Sequence, residues 1–349
     1  MAALIAPSST LEKTYKVREA EGFLDLYFYR KVGFRLAQVF ARLGLSPAAV
    51  TILGGLLGIV AGHLYYYRDL GTNIVGMALH VSANALDNAD GQLARLTGRQ
   101  SREGRILDSL VDHLIFISIY VHLALRCLFE GASPMIFLVA LAAGLSHGLQ
   151  GGAADYFRNA YLYFVSQRSR GDFDSSTALR SDYEALTWLE NPWPKFLLAS
   201  YLSFTRQQEM ISLPLKRFRE NVDRIFHDQI PEWLAAQYRN AARPAFKFWS
   251  VLMTNSRMLL LFAALVVDRT SWFFWIEITM FNLLLIYLLF REERMCRSLL
   301  ENVRQSRQSQ LACLCPRFRS PRPVPDARGM ISSNFLGPSI EMIRFGSRR

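Results

Sequence analysis

Apolar positions along this chain are gathered into long blocks, with neither the strict alternation of a half-buried strand nor the narrow stripe of a soluble helix. Residues 48–67 read AAVTILGGLLGIVAGHLYYY, and further blocks cover about 73–89, 106–128, 134–164, 248–267 and 271–290. Roughly 20 apolar residues cross the hydrocarbon of a bilayer, so the expectation is an all-α integral membrane protein with six transmembrane helices. The fourth block is longer than a bilayer requires and is expected to project beyond it. Ser46-Pro47 opens the first helix as N-cap and first-turn residue, and Tyr65 to Tyr67 suit its far interface. Gly54, Gly58 and Gly62, and again Gly144, Gly148 and Gly152, recur every fourth residue and predict faces on which another helix approaches closely.

The polar stretches add three elements. Residues 12–45 interleave Lys16, Arg18, Arg30, Lys31, Arg35 and Arg42 with Phe23, Leu26, Tyr27, Phe34, Val39 and Phe40, the makeup of an amphipathic juxtamembrane helix lying in the interface. From 167 to 245 the composition turns soluble, and KFLLASYLSFTRQQEMI and LKRFRENVDRIF carry helical periodicity, which predicts a helical cap. A short basic helix, REERMCRSLLENVRQ, precedes an Arg/Ser/Pro-rich tail, which is expected to be disordered like residues 1–10. The expected divisions are 1–45 for the arm, 46–166 for spans one to four, 167–245 for the insertion, 246–291 for spans five and six, and 292–349 for the basic helix and tail.

Composition agrees with this picture and narrows the partners. Hydrophobic residues make up 51% of the 349, and the net charge of +11 is carried by Arg and Lys beside the apolar blocks, where anionic headgroups would meet them. No nucleic-acid motif accompanies that charge, so a nucleic-acid partner is not expected. The arm, the turn holding Arg95, Arg99, Arg102 and Arg105, the insertion and the tail are all basic, whereas the segments around Asp69, Glu130 and Asp268 are not. By the positive-inside rule both termini and the turn are cytoplasmic, in the inner membrane of a bacterium. Cys127, Cys296, Cys313 and Cys315 form neither a disulfide framework nor a zinc set, and no cleavable signal is expected at the N-terminus.

Between the second and third blocks lies DNADGQLARLTGRQSREGRILDSLVD, residues 87–112. Asp87 and Asp90 are i and i+3 on one helix, and Gly104, Asp108 and Asp112 are i, i+4 and i+8 on the next. Antiparallel pairing around the short turn makes the two acidic stripes converge. An ionised acid within a span costs roughly 2.5–3.5 kcal/mol on insertion scales, so four of them call for cations. Oxygen ligands without Cys or a His set favour Mg²⁺ or Mn²⁺, and four carboxylates suffice for two divalent cations. Gly91 and Gly104 admit a bulky ligand to the backbone, and Arg95 offers a fixed charge to a phosphate. Metal, phosphate and an aspartate base together indicate phosphoryl transfer. The plainer alternative is a solvated turn in which the acids pair with Arg95, Arg102 and Arg105.

The pattern D-x2-D-G-x2-A-R-x8-G-x3-D-x3-D resembles the signature of the CDP-alcohol phosphotransferase family and matches it at every fixed position. The resemblance implies a six-helix membrane fold, usually a homodimer, that moves a substituted phosphoryl group from a CDP-linked donor, such as CDP-diacylglycerol, to an acceptor alcohol with release of CMP. On that likeness Asp87, Asp90 and Asp108 ligate both metals, while Asp112 completes the second site and serves as the base. Gly91, Ala94, Arg95 and Gly104 line the CDP site. Many members have Asn where this chain has Ala48, which leaves Thr51 to contact the donor.

For the acceptor, Arg158, Arg257 and Arg291 form a candidate cationic pocket suited to a phosphorylated alcohol. The alternative is that Arg158 and Arg291 snorkel to headgroups and Arg257 pairs with an acid such as Glu277. His80, His113, His122 and His147 are expected to be packed or hydrogen-bonded rather than catalytic. A divalent-cation transporter is the reading from another class, since acids within spans also mark ion pathways.

Overall fold

In the computed structural model, residues 22, 24–166, 173–226 and 229–314 are described, and these contain helices and connecting turns with no strand. The expected disorder of residues 1–10 and of the tail beyond 314 falls outside them. A π-helical turn, Asp25–Tyr29, leads into α1, Arg30–Arg42. Next come α2, Pro47–Leu64, then α3, Leu70–Thr97, α4, Arg102–Phe129, and α5, Ile136–Val165. Four shorter helices follow: α6, Ser176–Ala185, α7, Pro192–Ile211, α8, Leu213–Phe226, and α9, Glu232–Ala242. Short helical turns over 243–252 lead to α10, Thr254–Val266, and α11, Thr270–Ile276. A π turn, Glu277–Phe281, then joins α11 to α12, Asn282–Leu314.

Local chemistry fixes the boundaries near the acidic motif. Ser46 caps α2 by accepting from the Ala49 amide at 3.2 Å, with Pro47 in the first turn. Asp69 caps α3 through the Thr72 amide at 2.7 Å, and α3 ends on Gly98, whose φ of 67° suits a residue without Cβ. Only two residues later Ser101 caps α4 through the Gly104 amide at 3.0 Å. The two helices that carry the acidic motif are thereby turned back on one another.

Among the described residues, five helical stretches are long and apolar enough to cross a membrane. They are Pro47–Leu64, Arg102–Phe129, Ile136–Val165, Glu232–Val266 and Thr270–Ser306. The helix missing from the expected six is α3, and the reason is its own chemistry. Asn73, His80, Asn84, Asp87 and Asp90 dilute its hydropathy, and Asn73, His80 and Asp90 are buried against neighbouring helices. The basic stretch after the last apolar block is no separate helix either, because α12 runs through it unbroken.

Helix α2 is wedged against both α3 and α4, and its glycines decide how closely. A Cβ at Gly54 would stand 3.3 Å from Leu86 of α3, whereas one at Gly58 would sit 2.6 Å from Ile115 of α4. At Gly62 it would sit 2.6 Å from the Ser118 hydroxyl and 2.9 Å from the Ile119 amide, a backbone atom that cannot turn aside. The second glycine set behaves differently. No atom lies within 4 Å of a Cβ at Gly148, and at Gly144 the nearest is Tyr120 at 3.7 Å, so within this chain that face is not a close-packing seam.

The two largest apolar clusters lie in different parts of the bundle. One joins α2, α4, α5, α10 and α11; the other joins the end of α5 to α8, α9 and α12, with the Phe157 and Trp249 rings stacked 5.0 Å apart. At the end of the bundle opposite the acidic motif, Arg126 is almost fully buried and bonds to Asp268 at 2.7 Å, Glu130 at 3.0 Å and the Tyr67 carbonyl at 3.0 Å. Arg68 holds the same Asp268 at 2.6 Å.

Asp268 adopts a φ of 56°, and its carboxyl is held below the usual range chiefly by the Arg68 hydrogen bond and then by Arg126. A depressed carboxyl stabilises the fold above its unfolded value near 4 and loses that contribution as pH falls through the folded value. Asp268→Asn tolerates the left-handed backbone while deleting the charge. It is expected to destabilise by about 1–3 kcal/mol at neutral pH and to flatten the acid limb of the stability profile, measured by melting in detergent from pH 7 to pH 3. A wild-type acid limb in the variant would rule out Asp268 as its source.

Candidate active site and metal centre

The short turn from Gly98 to Ser101 brings the two acidic stripes together near one membrane boundary. At 1.5 Å per residue, Asp87 and Asp90 lie roughly 25–30 Å along α3 from Leu70, close to the full thickness of the hydrocarbon. Oxygens of Asp87, Asp90 and Asp108 all fall within 4.8 Å of one another. Asp90 is buried, Asp108 half-buried, and Asp87 accessible. The Asp87 and Asp108 carboxyls are within hydrogen-bonding reach of each other, which like charges tolerate only with a proton or a cation between them.

The spread of this trio suits a hard divalent ion. Oxygen ligands at about 2.0–2.6 Å from such an ion lie at most about 4–5 Å apart, and an all-carboxylate set suits Mg²⁺ or Mn²⁺ better than zinc. Asp112, one turn further along α4, lies outside the trio yet within the field of Asp87 and Asp90.

Neighbouring helices orient these acids. Thr51 of α2 donates its hydroxyl to Asp90 at 2.5 Å, so the residue expected to meet the donor nucleotide here holds a carboxylate in place. The Gln92 side-chain amide donates to the Arg30 carbonyl at 3.1 Å, and Gly33 of α1 leaves room for Asn88 of α3. Through that seam α1 lies along the acidic helix, and Asp87 feels the guanidiniums of Arg30 and, from α5, Arg158. Sequence reasoning did not assign Arg30 to the site; it stands 57 positions before Asp87, and only the docking of α1 on α3 brings them together.

The three expected acceptor arginines have different surroundings. Arg158 is part-exposed and pairs with Asp155 at 3.1 Å, and its charge acts on Asp87. Arg257 is almost fully buried, held by Glu277 at 3.0 Å and by the Gln150 carbonyl at 2.6 Å, the pairing foreseen as its alternative. Arg291 lies half-buried on α12. His80 and His147 are buried beside the hydroxyls of Tyr65 and Tyr120, at 3.2 and 3.1 Å. Arg102 and Arg105 turn towards Asp182 and Asp174 in the region after α5.

Residues 45–151 match the family model for CDP-alcohol phosphatidyltransferase. That match covers about a third of the chain. The phosphatidyltransferase match covers α2, α3, α4 and half of α5, and so contains all four aspartates. An archaetidylinositol phosphate synthase of Pyrococcus horikoshii is 38% identical over 91 residues, 26% of this chain and 47% of that protein. A bifunctional IPC transferase and DIPP synthase of Thermococcus kodakarensis is 27% identical over 141 residues, 40% of this chain and 31% of that one. A phosphatidylinositol phosphate synthase of Streptomyces avermitilis is 36% identical over 89 residues, 25% of this chain and 35% of that one. The chain thus spans half or less of the length of these relatives.

The Thr51 hydroxyl offers a test of the metal centre that needs no substrate. Removing a group that orients a ligand typically lowers metal affinity about 10–100-fold. Thr51→Val is therefore expected to weaken Mn²⁺ binding to the purified protein by that factor in a calorimetric titration, and Thr51→Ser to restore it. Equal affinity in all three proteins would exclude the orienting role.

Proposed function

We propose that the protein is a membrane-embedded CDP-alcohol phosphotransferase that passes a substituted phosphoryl group from a CDP-linked lipid to a phosphorylated polyol and releases CMP. The observation that carries this reading is the convergence of Asp87, Asp90 and Asp108 within 4.8 Å at the end of an antiparallel hairpin. The inositol phosphate products named for relatives support the acceptor class. The donor is CDP-diacylglycerol or another CDP-alcohol.

In this reading Asp87, Asp90 and Asp108 hold two divalent cations, with Asp112 as a further ligand to the second. Bound there, the cations offset the diphosphate charge and that of the departing CMP. Asp112 accepts the proton of the acceptor hydroxyl as its oxygen attacks the phosphorus on the non-cytidine side. The bond from that phosphorus to the bridging oxygen breaks, and CMP carries the electron pair away. Arg95, whose charge already acts on Asp90, meets the donor phosphates.

Gly91, Ala94 and Gly104 form the floor of the nucleotide site. A Cβ at Gly91 would meet only Arg95, at 3.6 Å, so the protein's own packing does not demand glycine there, and the ligand supplies the reason. Arg158 faces the acceptor phosphate, with Arg30 beside it. Arg257 and Arg291 are the further candidates for that pocket, and the Glu277 partner supports the alternative in which Arg257 is paired within the bundle.

The reading also takes α3 as the sixth transmembrane span, α1 as a helix lying in the interface, and 167–245 as a cytoplasmic insertion. Both termini and the site face the cytoplasm of a bacterial inner membrane. The open Gly148 face and exposed Leu141 and Leu145 of α5 suit a homodimer seam.

Proteoliposomes given CDP-diacylglycerol and inositol phosphate are expected to release CMP only with Mg²⁺ or Mn²⁺. Asp112→Ala and Asp108→Asn should each lower the rate at least about 100-fold, the lower range for losing an acid–base group. Normal turnover in Asp112→Ala would remove it as base. Metal-independent CMP release would overturn the reading itself.

A further inference from the structure

A cavity of about 280 Å³ opens where the α7–α8 junction passes α12. Its apolar lining is Ile286, Leu289 and Phe290 of α12 with Ile211 and Pro214 of the junction, and its polar lining is Ser212, Glu292 and Glu293. Glu292 lies about 33 Å along the helix axis from Thr270 at 1.5 Å per residue, which is the level where hydrocarbon gives way to headgroups. The Gln208 amide, one turn before the junction, donates to the Gly152 carbonyl at 3.0 Å, deep along α5, so the cavity opens on the same membrane face as the aspartates. Ile286 and Phe290 of its lining are exposed, as are Met210 and Leu213 on either side of the junction.

The cavity lining itself is acidic. The net charge of the chain is +11, and Arg291 and Arg294 flank the two glutamates on α12, yet neither lines the cavity. Here the cavity wall carries two carboxylates, of which Glu293 is paired with Arg297 on its own helix. Glu292 is only 4% exposed, and one of its oxygens accepts from the Ser212 hydroxyl at 2.5 Å. Among the described residues no Lys, Arg or His lies within ion-pair distance of it. A buried carboxyl with one oxygen left unbonded by the protein, on the wall of a cavity, is stabilised there by a proton or by a cation with N–H donors.

We propose that this cavity binds a membrane lipid with a primary-ammonium headgroup. The ammonium donates to Glu292, and the glycerol and acyl carbons lie along Ile286, Leu289 and Phe290. A quaternary ammonium has the charge but no N–H, and an anionic headgroup is repelled, so the site selects among lipids by headgroup. This assignment does not rest on the phosphotransferase reading, and the acidic motif plays no part in it.

The test uses full-length protein in nanodiscs of phosphatidylcholine doped with phosphatidylethanolamine or phosphatidylglycerol, followed by native mass spectrometry of the lipids retained. One charge-assisted hydrogen bond predicts phosphatidylethanolamine retained about tenfold or more over either competitor. Glu292→Gln should abolish the preference. Ile286→Trp, which fills the cavity but keeps the carboxylate, should abolish it too and carries the test if the first variant does not fold. Equal retention of phosphatidylcholine, a preference for phosphatidylglycerol, or an unchanged preference in both variants would overturn the proposal. Displacement of the lipid by a peptide of residues 315–349 would make the basic tail the occupant and would overturn it as well.

Discussion

The contact on which the acidic centre depends is made between backbones: α2 lies against α3 and α4 at a separation that only glycine permits. At Gly58 and Gly62 a methyl group would overlap Ile115 and the main chain of Ile119. Because α4 cannot shift outward without losing that seat, Asp108 is held where it meets Asp87 and Asp90 from the other helix. Within a membrane there is no hydrophobic force to press helices together, and close van der Waals packing takes its place. The four-residue glycine repeat thus does for this protein what a large apolar core does for a soluble enzyme.

Polar groups complete what packing begins. The Thr51 hydroxyl, the Gln92 amide and the Arg30 carbonyl tie three helices around Asp90 at one membrane face. At the other, Arg126 gathers the ends of α2 and α4 and the loop before α11. In water such pairs would contribute little, but at 1% exposure Arg126 has no solvent to replace its partners. Between the two ends the interior is mostly apolar, with the Arg257, Glu277 and Gln150 group as a buried exception that joins α5, α10 and the π turn.

Much of the candidate site was readable from spacing alone. Asp87 and Asp90 at i and i+3, and Asp108 at i+4 from Gly104, share faces whatever the tertiary context, and Gly98 with Ser101 marks where one helix stops and the next begins. What could not be read depended on partners far away in sequence. Whether Thr51 contacts a ligand or a carboxylate depends on the depth at which α2 meets α3. The Gly144 repeat has the same four-residue period as the Gly58 repeat yet faces no close neighbour in this chain, because period alone does not say which face is covered. The hydropathy of α3 understates its burial, since Asn73, His80 and Asp90 point inward. The Arg30 guanidinium is invisible to any local window, because its place beside Asp87 is set by Gly33 and Gln92.

The Arg126 cluster and the Gly98–Ser101 turn together fix α4 at both of its ends. At one end it is pinned to the end of α2 and the loop before α11 around a buried guanidinium. At the other it is tied through the chain itself to α3, a few residues beyond the carboxylates. A rod anchored at both ends cannot swing. Adjustment of the acidic centre to an ion therefore falls to rotation of the carboxylate side chains, as in a vice whose jaws move while its frame stays bolted.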